Sequence, residues 1–103
     1  MYELKCLYDT RNSFYKKAMI KEELTTGEHG ASKQLVLYSY NTLVASITYF
    51  EIDNTFSISY VCYGKYSQTT TRHQKEFFKQ NGLNDAEIKR LFKEGVLEIK
   101  YGN

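Results

Sequence analysis

The stretch from Leu43 to Cys62 constrains this chain most, because two runs rich in Val, Ile, Thr and Tyr are separated only by Asp53-Asn54. Both of those residues tolerate a positive φ, and a two-residue turn of that kind matches the twist of an antiparallel pair. Counting outward from the turn pairs Ile52 with Thr55, Glu51 with Phe56, Tyr49 with Ile58, Ile47 with Tyr60 and Ala45 with Cys62. Apolar residues then meet apolar residues on one face, which is what sets the register of a half-buried hairpin.

The rest of the chain has little room for a second core. Its 103 residues, 42% hydrophobic and 25% charged, suit one compact domain. Ten Tyr and six Phe, with no Trp and no Pro, favour strands. A formal charge of +2 is too small for the field of a dedicated nucleic-acid binder and too positive for a mimic of nucleic acid. Cys6 and Cys62 stand alone in strand-like surroundings and read as reduced core thiols. The start of the chain has no basic segment followed by an apolar run, and no stretch approaches the ~20 apolar residues of a membrane span. The expected location is the cytoplasm, without a membrane partner.

Tyr2 to Tyr8 alternates as a first strand and meets the turn-forming cluster Asp9-Thr10-Arg11-Asn12-Ser13. Phe14 to Leu24 reads as a strand with Ala18, Ile20 and Leu24 on one side, although a short amphipathic helix also fits residues 13 to 18. The polar segment 25 to 32, with Gly27 and Gly30, reads as an exposed connection. Gln34 to Tyr40 and Leu43 to Ile52 are two strands, or one long strand bent by a bulge near Asn41-Thr42.

After Gly64 the apolar period lengthens from two to nearly four. The spacing predicts a helix near 70 to 81, opened by a Thr71/Gln74 capping box and closed by Gly82. A second helix near 84 to 94 starts at Asn84, with Glu87 positioned to reach back and Leu83 to staple Ile88, and stops at Gly95. Val96 to Tyr101 alternates as a last strand.

No chemical signature emerges from these elements. Cys6, Cys62, His29 and His73 are scattered singly, without metal-ligand spacing. A Cys62/His73 nucleophile pair is formally conceivable, yet the hairpin register places Cys62 beside Tyr60 and Ile58 as an inert thiol. Gly27 and Gly30 lack the context of a phosphate loop, the carboxylates at Glu22-Glu23 and near Glu51 and Asp53 read as solvated charges, and no cofactor is implied.

The helical region is basic instead. Lys65, Arg72, Lys75, Lys79, Lys89, Arg90 and Lys93 outnumber Glu76, Asp85 and Glu87, with positions 72, 75 and 79 on one helix face and 89 and 93 on another. Such a surface suits phosphates or an acidic protein patch; the plain alternative is a solvated outer face that keeps the domain soluble. The helix-turn-helix spacing of a DNA reader is matched at Phe77, Gly82, Leu83, Ile88 and Leu91, but Phe78 and Asn81 depart from it, and a helical hairpin packed on a sheet explains the same positions. Exposed tyrosines are expected among Tyr15, Tyr38, Tyr40 and Tyr66, as anchors of an interface or stacking platforms for bases.

Three segments carry a resemblance: Leu7-Tyr8-Asp9-Thr10-Arg11-Asn12-Ser13-Phe14-Tyr15-Lys16-Lys17-Ala18, Leu37-Tyr38-Ser39-Tyr40-Asn41-Thr42-Leu43-Val44-Ala45, and Tyr66-Ser67-Gln68-Thr69-Thr70-Thr71-Arg72-His73-Gln74-Lys75-Glu76-Phe77. Together they resemble a family of small proteins of unknown function carried by phages, plasmids and integrated elements of Gram-positive bacteria, over most of residues 7 to 82. The resemblance implies a small stoichiometric binder of a host or defence protein, of which an anti-CRISPR inhibitor of a CRISPR nuclease complex is the sharpest form.

The expectation is therefore an α+β fold, a twisted antiparallel sheet of about five strands with two helices packed on one face. Its function is non-catalytic binding through Arg72, Lys75, Lys79, Lys89, Arg90 and Lys93 with Tyr15, Tyr40 and Tyr66. The alternative is a nucleic-acid-binding or regulatory module using the same surface, with an enzyme third.

Overall fold

The computed structural model describes residues 1–11, 13–28, 30–64 and 66–101, so Asn12, His29 and Lys65 lie outside the described residues. The chain is a six-stranded antiparallel sheet in which every strand neighbours the next, order β1 to β6. The strands are β1 (Tyr2–Glu3), β2 (Ala18–Gly27), β3 (Gly30–Ser39), β4 (Thr42–Ile52), β5 (Thr55–Cys62) and β6 (Val96–Tyr101). Helices α1 (Gln68–Gln80) and α2 (Asp85–Glu94) are inserted between the last two strands. This is the expected α+β architecture, with six strands in place of about five, the first of them only a two-residue edge.

The β4–β5 hairpin has the register read from its residues, from Ile52 opposite Thr55 to Ala45 opposite Cys62. Asp53 and Asn54 hold φ of 49° and 66°, the left-handed pair that a primed turn requires. A second such turn at Tyr40 and Asn41, with φ of 50° and 68°, separates β3 from β4. The two runs are thus separate strands, and the irregularity lies between Leu37 and Tyr38.

Two expectations are corrected. The polar segment 25 to 32 is mostly strand: β2 and β3 stay paired out to Gly27 opposite Gly30, which leaves only Glu28, in a turn, and His29, outside the described residues, to connect them. β-Branched Thr25 and Thr26 extend the strand, and their polarity reflects only that this end of the sheet is exposed. Gly30 has a steric role there, since a Cβ would collide with the backbone carbonyl of Glu51 on β4.

The other correction is at the start, where the strand ends at Glu3 rather than near Tyr8. Leu4 still donates to the Ala18 carbonyl at 2.9 Å, after which the chain leaves the edge and crosses to α1. Phe14 is buried in the core, and Tyr15 and Lys16 take positive φ ahead of β2.

Ser67 caps α1, accepting from the Thr70 N–H, so the helix starts earlier than a Thr71 cap would allow. Gln74 is unavailable for capping because its side chain is buried, donating to the carbonyls of Val44 at 3.0 Å and Gly64 at 3.3 Å. α2 has the expected capping box between Asn84 and Glu87 and ends at Gly95 with φ of 85°. Both helices lie on one face, where Ile20, Leu37, Ile47, Tyr60 and Leu97 from the sheet meet Phe77, Phe78, Leu83, Ile88 and Leu91. Burying these side chains is the main favourable term in the fold. The opposite face alternates Lys21, Gln34, Thr48 and Ser59 with Val36 and Val61, and no element among the described residues covers it.

Candidate binding groove

The cations of the helical pair converge. Thr71, Lys75 and Lys79 from α1 and Asp85, Ile88, Lys89, Arg90, Phe92, Lys93 and Glu94 from α2 line an open groove of about 1260 Å³, with Tyr66 also on its lining. Helical spacing accounts for the row: Lys75 and Lys79 are one turn apart on α1, as are Lys89 and Lys93 on α2. Phe92, half-buried, contributes apolar surface to the lining, and Ile88, one turn before it, is buried beneath.

The charges divide by their partners. Lys79 reaches Asp85 at 3.1 Å and Arg90 reaches Glu94 at 3.1 Å. Lys75, Lys89 and Lys93 form no ion pair among the described residues, so their field is turned to whatever enters the groove. Arg72 sits to the side, 3.5 Å from Asp9, in a smaller depression of about 230 Å³ that shares Lys75 and Lys79.

Of the expected contact residues, the structure brings together Lys75, Lys79, Lys89, Arg90, Lys93 and Tyr66, while Tyr15 and Tyr40 lie elsewhere. Tyr40 is exposed over the start of α1, its ring 5.8 Å from that of His73 and 6.0 Å from the Lys17 ammonium. Tyr15 is 74% exposed in the turn before β2. Tyr38 is half-buried. What sequence could not show is that the half-buried Phe92 lines a groove with lysines of both helices.

Glu76, counted above among the charges of the helical region, is buried. It is 2% exposed, and its carboxylate accepts from the N–H groups of Tyr8 at 2.9 Å and Asp9 at 2.8 Å and from the Gln80 amide at 2.6 Å. Gln80 also donates to the Lys5 carbonyl. One buried carboxylate therefore holds the crossing segment against α1.

A serine and a histidine also meet. Ser39 Oγ lies 2.8 Å from His73 Nδ1 and 3.0 Å from Thr70 Oγ1. Both members of the pair are buried, with the Phe14 ring 4.6 Å from the imidazole, so the hydroxyl does not open onto a cleft. Donation from Nδ1–H to Ser39 fits this site, leaving Nε2 without a hydrogen-bond partner among the described residues. Cys62 faces Gln74 and the Gly64 carbonyl rather than His73, and burial pushes its thiol up. No cluster of three or more His, Cys, Asp or Glu able to hold a metal occurs among the described residues.

Burial holds the His73 pKa below the ordinary 6.5, Arg11 acts in the same direction and Asp9 opposes them. The unfolded chain takes up the proton first, so this contribution is fully present above 6.5 and is lost as pH falls from there through the folded pKa. Denaturant midpoints taken between about pH 7.5 and about pH 5 should fall more steeply for the wild type than for His73→Phe. Parallel slopes would remove His73 as a source of acid sensitivity.

The fold and groove define a small α+β protein in which a helical hairpin closes one face of an antiparallel meander and presents a cationic cleft. The chain belongs to the Family of unknown function (DUF8033), which it matches over residues 2–94. The match takes in both helices, beyond the 7-to-82 span of the resemblance, and stops before β6. No curated protein and no solved structure matches the chain. Among the described residues, no helix is long and apolar enough to cross a membrane.

Proposed function

We propose that the chain is a non-catalytic accessory protein of a mobile element that binds a host or defence protein in the bacterial cytoplasm, with an anti-CRISPR inhibitor of a CRISPR nuclease complex as the specific form. The observation that carries the binding role is the groove itself, where Lys75, Lys89 and Lys93, without an ion pair among the described residues, share a lining with the half-buried Phe92. An acidic protein surface with apolar side chains between its carboxylates would satisfy both parts. The phage and plasmid setting, and the Gram-positive host, rest on the resemblance of residues 7–18, 37–45 and 66–77. The sealed Ser39–His73 pair supports a role without catalysis.

The test is capture of the partner from host lysate, followed by affinity measurements with the purified complex. Lys75→Glu and Lys89→Glu each replace attraction by repulsion and should weaken binding roughly tenfold. Both lie on the exposed side of their helices, so thermal stability should stay near that of the wild type. A labelled DNA or RNA that shifts in a gel at low salt, with affinity falling steeply as salt rises, would favour the second reading of a nucleic-acid-binding module on the same lysines.

A further inference from the structure

The far edge of the sheet has a pattern that the groove does not use. Cys62 N–H donates to the Gly95 carbonyl at 2.9 Å, which makes Cys62 and Gly95 a hydrogen-bonded pair. Alternation along an antiparallel ladder then turns the backbone groups of Leu97, Ile99 and Tyr101 toward β5 and those of Val96, Glu98 and Lys100 outward. No strand among the described residues receives them. Unpaired edges of this kind are usually blunted by proline, a bulge or a covering element. β6 has no proline and no register shift against β5.

We propose that β6 is the seam of an isologous homodimer, in which two copies pair antiparallel about a two-fold axis at Ile99. In that register Glu98 of each copy opposes the partner's Lys100, and the outward backbone groups of these same residues exchange N–H···O bonds. Leu97 opposes the partner's Tyr101 and Ile99 opposes itself, all on the helix-bearing face. Moving the axis to Glu98 sets glutamate against glutamate, and moving it to Lys100 sets lysine against lysine. Half-step registers set a residue whose backbone groups point outward opposite one whose groups point toward β5, so the ladder bonds cannot form. The charge pattern of Val96–Tyr101 thus favours the Ile99 axis over these alternatives.

The helix layer points the same way. α1 and α2 leave the outer end of their face bare beyond Tyr49, where the exposed rings of Phe56 and Tyr101 continue a row with centroids 6.3 and 6.0 Å apart. Tyr101 is 52% exposed there, while Leu97 at the other end of β6 is buried. Antiparallel pairing places each bare end beside the covered end of the other copy, extending the aromatic row into a packed face.

Sedimentation of the full chain across a wide concentration range, combined with residue-resolved amide exchange, tests this. A dimer mass should appear as concentration rises. The Glu98 and Lys100 amides should slow with it, while those of Leu97 and Ile99, already bonded to β5, change little. Glu98→Lys should weaken the dimer roughly tenfold by setting lysine opposite lysine, and Glu98→Lys combined with Lys100→Glu should restore it. Both side chains are exposed, so the dilute monomer of each variant should melt near the wild type. A monomer at every concentration, concentration-dependent protection at the β2 edge instead, or a dimer indifferent to Glu98→Lys would overturn the proposal.

Discussion

Phe78→Ala is expected to lower the unfolding free energy by about 4 kcal/mol, the loss typical of a large aromatic removed from a core that cannot collapse around the void. The Phe78 ring is fully buried, with ring centroids 6.4 Å from Tyr60, 5.7 Å from Phe77 and 6.4 Å from Phe92. It therefore joins β5, α1 and α2 at one point, and its carbonyl accepts from both Asn81 and Leu83 where the helices turn. A domain of this size has about 5–10 kcal/mol in total, so the variant should stay folded with only about 1–6 kcal/mol left. Urea denaturation should show a large fall in midpoint, and Phe78→Leu should recover most of it because volume is nearly kept. A fall below about 1 kcal/mol for the alanine variant would mean that the helices are not docked through this ring.

The second large effect concerns Glu76. Glu76→Ala should cost about 3 kcal/mol, because charge-assisted bonds to the Tyr8 and Asp9 N–H groups and to Gln80 are all lost. Glu76→Gln should not rescue it, since an amide turned to those donors keeps one accepting oxygen and sets an NH₂ group against another donor. The specific readout is local: amide exchange at Tyr8 and Asp9 should rise far more than at Ile47 in the sheet centre. The Asp9–Arg72 contact should weaken with it, because Asp9 is placed by the same carboxylate. Unchanged exchange at Tyr8 and Asp9 would show that the crossing segment is held by something other than Glu76.

These two positions also mark how far the fold and the groove could be read from the residues. Phe78 stood out as too large for the tight crossing of a helix-turn-helix; in the folded chain that bulk fills the space between α1, α2 and β5. Glu76 counts, in sequence, as one more charge of a basic helical region. Its partners lie 67 and 68 residues away, and no local pattern marks a carboxylate that will be buried by them. The chain start misled for the same reason: Tyr2 to Tyr8 alternates as a strand should, yet contact with Glu76 and Gln80 draws it off the sheet edge after Leu4.

The sequence by itself determined the elements whose signals are local. The Asp53-Asn54 turn with its flanking alternation set a register, and Asn84, Glu87 and Gly95 bounded α2, because turn φ values and helix caps are satisfied within a few residues. It also supplied the lysines and the helix faces that carry them. Only the tertiary structure decided which cations would share a groove, which would pair with Asp85 or Glu94, and which tyrosines would stand apart. Those outcomes depend on how two helices dock on a sheet, and that is settled by the burial of Phe77, Phe78, Leu91 and their partners across the whole chain rather than by any neighbour in it.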